Sequence, residues 1–82
     1  MSRTRGTVVH INARRRKIVV QQPGGFTLVE LFGDEVRRDE VLSHEWNDDS
    51  GKPATREGGE RIDVLIQATW GNLAAAQAAC DR

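Results

Sequence analysis

Long hydrophobic segments are missing from this chain, whose uninterrupted apolar runs are no longer than four residues. A helix that spans a bilayer needs about 20 such residues. The basic N-terminus, residues 1–5, also lacks the apolar core of a secretory signal peptide. We therefore expect a cytoplasmic protein that makes no membrane contact.

Cysteine is nearly absent as well, because Cys80 is the only one in the chain. A single cysteine excludes an intramolecular disulfide, and its alanine-rich surroundings favour the role of a small apolar residue. His10, His44 and Cys80 do not show the paired spacing of zinc ligands. The sequence therefore predicts no metal site and no cofactor.

Enzyme signatures are also lacking. The carboxylate pairs Asp48/Asp49 and Glu57/Glu60 fall in a polar segment, where solvation is their usual role, and no nucleophile stands in a fixed relation to His44. Aromatic residues are few, with two Trp, two Phe and no Tyr. Trp46 and Trp70 are interpreted as core residues rather than ligand-stacking groups. We predict a protein that is not an enzyme.

The charge that is present is unevenly distributed. Of the 12 basic and 12 acidic residues, residues 1–20 contain six basic and no acidic ones, so the two portions of this neutral chain carry +6 and −6. One interpretation is a basic face that attracts polyanions. The other is that the two portions neutralise each other across adjoining strands. The sequence favours neither.

Alternating and β-branched segments separated by glycine and proline predict an all-β fold. The predicted strands are near 6–12, 17–22, 26–32, 40–46 and 61–70, with a loop over 47–60. The third has two apolar faces and is expected to be central, and Glu30 is the one charged residue within it. In the fifth, one face is expected to carry Ile62, Val64, Ile66, Ala68 and Trp70. A helix over about 72–80 would begin at Asn72 as N-cap and dock through Leu73 and Ala76.

Five strands with an early hairpin and a long loop before the last strand fit an oligonucleotide-binding (OB) barrel. We therefore predict a single OB-like domain over residues 1–82, a five-stranded antiparallel barrel of about 6–70 followed by the short helix. At 82 residues there is no room for a second core.

Residues 6–46 resemble the cold-shock class of this fold. Gly6 to Asn12 lies in frame with the family's Gly-Lys-Val-Lys-Trp-Phe-Asn stretch, Arg15 to Val20 with its second segment, and Thr27 to Leu31 with its third strand. The resemblance implies a scaffold that binds single strands by stacking bases on aromatic side chains. Almost all of those aromatics are replaced here, by His10, Ile11, Lys17, Val19, Leu28, Glu30 and Leu31. The scaffold is carried over and the stacking chemistry is not.

The predicted function is that of a small non-enzymatic binding module, with RNA or single-stranded DNA as candidate partners. The candidate nucleic-acid-binding residues are His10, Arg14, Arg15, Arg16 and Lys17. The cations would contact phosphates in a salt-sensitive, sequence-tolerant manner, with His10 as a weak stacking group. Convergence of Arg3, Arg5 and His10 with this turn on one strand face would favour this function, whereas interleaved carboxylates would oppose it.

Two alternatives remain open. The basic residues are equally consistent with a solvated turn on an ordinary hairpin. The module is alternatively one for protein interaction or self-association, through the Val, Ile and Leu side chains that replace the aromatics. If Ile11, Val19, Leu28 and Leu31 are exposed, a weak homodimer is expected, since a two-fold interface uses one patch twice.

Overall fold

A computed structural model describes residues 3–46 and 52–82. Its described residues form seven strands and one helix: β1 (Thr4–Asn12), β2 (Lys17–Gln22), β3 (Gly25–Leu31), β4 (Val41–His44), β5 (Ala54–Arg56), β6 (Arg61–Ile62), β7 (Val64–Trp70) and α1 (Leu73–Cys80). The fold is therefore mostly β with a short C-terminal helix, as the sequence predicts. Residues 47–51 of the predicted loop, including Asp48 and Asp49, lie outside the described residues.

The strands form one antiparallel sheet in the order β6-β5-β4-β1-β2-β3-β7. The two strands at its ends, β6 and β7, are consecutive in the chain and are joined by Asp63 alone. One residue spans only about 3.5 Å, so the ends of the sheet must approach each other. The sheet is therefore curled into a half-barrel.

The strand count differs from the five expected. Part of the predicted loop 47–60 forms β5, because Ala54 is fully buried and its strand pairs with β4 and β6. The Arg56 N–H donates to Glu60 O at 2.8 Å, and Gly59 in the turn has a positive φ of 93°. The predicted fifth strand is also divided, at Asp63, into β6 and β7. Both the added strand β5 and the division of the fifth strand arise from pairing with, and burial against, residues that are distant in the chain.

The face assignment in the last strand is wrong beyond Ile66. Val29 pairs with Ile66 but Leu28 pairs with Ala68, so Gln67 is an extra residue in a β-bulge. A one-residue insertion moves every later side chain to the opposite face. Val64 therefore packs inside the curled sheet, whereas Trp70 packs on its outer face.

Two hydrophobic clusters of described residues lie on opposite faces of the sheet. The first fills the inside of the curl and contains Val8, Ile18, Val20, Val29, Leu31, Leu42, Trp46, Ala54, Ile62 and Val64. The second lies between the outer face and α1 and contains Val19, Leu28, Ala76 and Cys80. β3 contributes to both and lies between β2 and β7, so it is an internal strand with two apolar faces, although β1 and not β3 lies at the centre of the sheet.

The exposed patch on which the dimer prediction depends is not formed. Val19 is fully buried, Leu28 and Leu31 are 5% and 7% exposed, and Ile11 is partly buried against the first cluster. These side chains are core residues because the curl encloses one face of the sheet and α1 covers the other.

The C-terminal helix agrees with its prediction. Asn72 is the N-cap and its side chain accepts a hydrogen bond from the Ala75 N–H at 2.8 Å. The helix docks through Leu73, the fully buried Ala76 and the fully buried Cys80. Among the described residues, no helix has the length and hydrophobicity needed to cross a bilayer.

Candidate functional site

The hairpin between β1 and β2 holds most of the predicted site residues. Its turn, residues 13–16, is exposed, and the Asn12 side chain accepts from the Arg15 N–H at 3.2 Å. Arg16 adopts the left-handed region with φ 57°, and its carbonyl accepts from the Leu31 N–H at 2.8 Å. These bonds fix the turn backbone and direct consecutive arginines outward.

The basic turn is defined here as Arg14, Arg15, Arg16 and the adjoining Lys17. Within residues 3–46 and 52–82, none of these four side chains forms an ion pair. Arg56, by contrast, contacts Glu40 at 3.1 Å and Glu60 at 3.0 Å. An unpaired, exposed guanidinium retains its donors for a phosphate or carboxylate from another molecule.

A cleft of about 460 Å³, named here the turn cleft, adjoins the basic turn. Its apolar wall includes Ile11, Ile18, Leu31 and Val36, and its polar lining places Arg16 and Lys17 near Asp34 and Glu35. Lys17 also lies opposite Glu30 in the β2–β3 register. Carboxylates are therefore interleaved with two of the four cations, which lowers the local positive potential.

Arg3 and Arg5 do not converge with the basic turn. Arg3 donates to Pro53 O at 2.7 Å and Ser43 O at 3.1 Å, and Arg5 lies opposite Ser43 in the β1–β4 register. Asn12 is seven residue steps along the extended strand from Arg5, a distance of about 23 Å. The basic residues of the first 20 positions thus form two groups at opposite ends of β1.

His10 is also held away from the turn cleft. Its Nε2 lies 2.9 Å from Asp81 Oδ1 at the end of α1, and its side chain is 26% exposed. Asn12 Nδ2 donates to Cys80 O at 2.9 Å, which ties the same end of the helix to β1. The stacking role predicted for His10 therefore has no support from its position.

A second group of chemically capable side chains forms at this helix end. The potential ligand atoms of His10, Cys80 and Asp81 all lie within 4.8 Å of one another, and we name the three residues the helix-end cluster. Burial raises the pKa of the Cys80 thiol, and the Asp81 carboxylate raises it further. The spacing of these residues in the sequence does not reveal the cluster, because His10 precedes Cys80 by 70 residues.

His44 has a structural environment. It is 1% exposed, and its ring nitrogens lie 2.9 Å from Glu45 O and 2.8 Å from Lys52 O. Neither nitrogen is left for a substrate or a metal. Its ring packs against that of Trp46, which is 4% exposed and donates from Nε1 to Thr4 O at 2.8 Å.

Comparison with protein-family models, with curated proteins and with solved structures gives no match for this chain. The function is therefore inferred from the chemistry of the basic turn itself.

Proposed function

We propose that this protein is a non-enzymatic binding module that contacts the phosphate backbone of single-stranded RNA or DNA through the basic turn. The observation that carries the proposal is the row of three exposed arginines, Arg14 to Arg16, with no intramolecular ion pair among the described residues. A guanidinium group binds phosphate oxygens with two parallel hydrogen bonds and keeps its charge at all physiological pH values.

The same geometry limits the strength and the specificity of binding. Phosphate contacts position a nucleic acid but carry no sequence information. Phe32 and the other aromatic residues do not form a row along the β1–β2 hairpin, so base stacking adds little. Asp34 and Glu35 across the cleft oppose a polyanion, and Arg3, Arg5 and His10 lie apart from the turn and add no attraction there. Binding is therefore weak, sequence-tolerant and sensitive to salt.

We also propose that the half-barrel is a cold-shock-like scaffold for this function. The first four expected strands correspond to β1, β2, β3 and β4, the fifth corresponds to β6 and β7 together, and β5 is the one strand added to them. The half-barrel would serve as a rigid support for the β1–β2 hairpin, and the binding groups would lie at its tip rather than on the strand faces.

The test is the fluorescence anisotropy of a labelled single-stranded RNA titrated with the protein at several salt concentrations. Four phosphate contacts predict a log–log slope of about −3 for a single strand. The triple variant Arg14→Ala, Arg15→Ala, Arg16→Ala is expected to lose most of the binding near 50 mM salt. Each single substitution is expected to reduce the magnitude of the slope by about 0.7, the share of one phosphate contact on a single strand.

A charge-matched control separates the basic turn from net charge. The variant Arg37→Ala, Arg38→Ala, Arg61→Ala removes three exposed arginines from other positions and changes the net charge equally. It is expected to retain binding. Equal loss in both triple variants, or no binding by the unmodified protein near 50 mM salt, would contradict the proposal.

The second candidate function is protein interaction, favoured by one observation. Phe32 is 52% exposed and stands in the chain between Leu31 and Gly33, which both line the turn cleft. A single aromatic side chain is smaller than the apolar patches that mark most interaction sites, so we rank this function second. A partner bound there would be lost with Phe32→Ser and would be insensitive to salt.

A further inference from the structure

The chain end brings together three side chains that the proposed function does not use. His10 comes from β1, whereas Cys80 and Asp81 come from the last turn of α1 and the residue after it. Imidazole nitrogen, thiolate sulfur and carboxylate oxygen are the three donor types from which protein zinc sites are built. We propose that the helix-end cluster binds one zinc-like divalent cation.

The distances are compatible with a shared ion. Zinc lies about 2.0–2.1 Å from nitrogen and oxygen ligands and about 2.3 Å from sulfur, so tetrahedral ligands are roughly 3.3–3.6 Å apart. Here the three ligand atoms lie within 4.8 Å of one another, and His10 Nε2 and Asp81 Oδ1 are 2.9 Å apart. A shared ion requires the His10 and Asp81 side chains, both partly exposed, to rotate apart from each other and toward Cys80 Sγ.

The surrounding structure holds the ligands in place. Cys80 is fully buried against the second cluster, which fixes its position, and β1 supports His10. Asn12 Nδ2 donates to Cys80 O at 2.9 Å and lies 3.4 Å from Asp81 Oδ1. Such contacts from residues outside the ligand set orient the ligands of metal sites. Asn12 is therefore a positioning residue for the cation.

The electrostatics of the helix end also favour a cation. The C-terminus of a helix carries a partial negative charge, and α1 has no basic residue in its last turn. When the ion binds, the Cys80 thiol releases its proton to solvent, and the thiolate and the Asp81 carboxylate balance a 2+ charge. Lys17 lies within electrostatic range of the thiol, where its positive charge favours the thiolate ligand and repels the cation.

Three protein ligands leave one tetrahedral position for water. The Asp81 side chain is 54% exposed, so solvent reaches the cluster from that side. The mixed donor set, with one sulfur, favours zinc over magnesium and calcium, which prefer oxygen ligands. The cation would also tie the end of α1 to β1.

The experiment titrates the chelator-treated full chain with cobalt(II) and then with zinc, under reducing conditions. We expect one equivalent of cobalt to bind with a thiolate-to-cobalt charge-transfer band, and zinc to displace it. Cys80→Ser is expected to abolish this band. His10→Gln and Asp81→Asn should each weaken zinc affinity by about tenfold or more, and Asn12→Ala by about 10- to 100-fold with the band retained.

The matched control is Glu57→Gln, which removes one exposed carboxylate elsewhere and changes the net charge as Asp81→Asn does. It should bind zinc as the unmodified protein does. If Cys80→Ser fails to fold, the charge-transfer band of the unmodified protein and the zinc affinities of His10→Gln and Asp81→Asn test the proposal instead. The absence of a one-to-one complex, a complex without the band, or unchanged affinity in His10→Gln and Asp81→Asn would overturn the proposal.

Discussion

Gly6 is the residue at which the packing of the first cluster leaves least space. A Cβ placed there would lie 2.9 Å from Trp46 Cζ2 and still closer to Val20 Cγ1. Neither neighbour can move freely, because Val20 is fully buried in β2 and Trp46 is held by its hydrogen bond to Thr4 O. The absence of a side chain at residue 6 therefore permits the close approach of β1 to the Trp46 ring.

Gly6→Ala is expected to reduce the free energy of unfolding by about 1–3 kcal/mol, since extra carbon in a packed core forces its neighbours out of position. Gly58→Ala is the control, because a Cβ at Gly58 meets nothing within 4 Å. It should change stability by no more than about 0.5 kcal/mol. Urea unfolding of both variants measures the difference, and equal midpoints would contradict the packing argument.

Individual side-chain roles were the part of the molecule least accessible from the sequence. His10 was predicted to stack on a base, but its partner is Asp81, which no local pattern connects with it. The exposure of Arg14, Arg15 and Arg16 was predictable, because a turn between two β-branched runs must lie at the surface. The placement of Asp34 and Glu35 near Arg16 and Lys17 depends on how distant segments pack.

At the scale of elements, the pattern of apolar and polar residues predicts the bounds of β1, β2 and β3 to within about two residues, and the Asn72 cap and the alanine-rich segment do the same for α1. It did not reveal the bulges near Val9 and Gln67, because neither position carries the glycine that marks many bulges. β5 was missed for a similar reason: three residues are too few to show a period. Pairing with β4 and β6 gives this segment its conformation.

The cap of α1 is an element-scale feature that the sequence did predict. Asn72→Ala removes the acceptor for the Ala75 N–H, and the free energy of unfolding should fall by about 1 kcal/mol. Asn72→Asp is the control: it keeps an acceptor and adds a favourable charge at the helix N-terminus, so it should retain stability. Thermal unfolding followed by circular dichroism measures both, and a fully stable Asn72→Ala would show that docking alone holds the helix.

At the scale of the whole molecule, the sheet protects its own edges. β6 has only two residues, and β7 carries the bulge at Gln67, which twists that edge away from a flat template. Short and bulged edge strands hinder pairing with a second chain. Among the described residues, Phe32 is the only exposed large hydrophobic side chain. The surface therefore offers little for stable self-association.

The weak dimer predicted from the sequence required Ile11, Val19, Leu28 and Leu31 at the surface, and their burial removes that basis. We therefore expect sedimentation at a few hundred micromolar to give a single 9.1 kDa species in moderate salt. A neutral chain lacks long-range self-repulsion, so the oppositely charged portions still allow transient pairing at low salt. Such pairing would disappear as salt is added, because screening shortens the range of exposed charges to about 8 Å at physiological ionic strength.

A dimer that persists in high salt would contradict the expectation and indicate an apolar interface. Loss of that dimer in Phe32→Ser would then locate the interface beside the turn cleft.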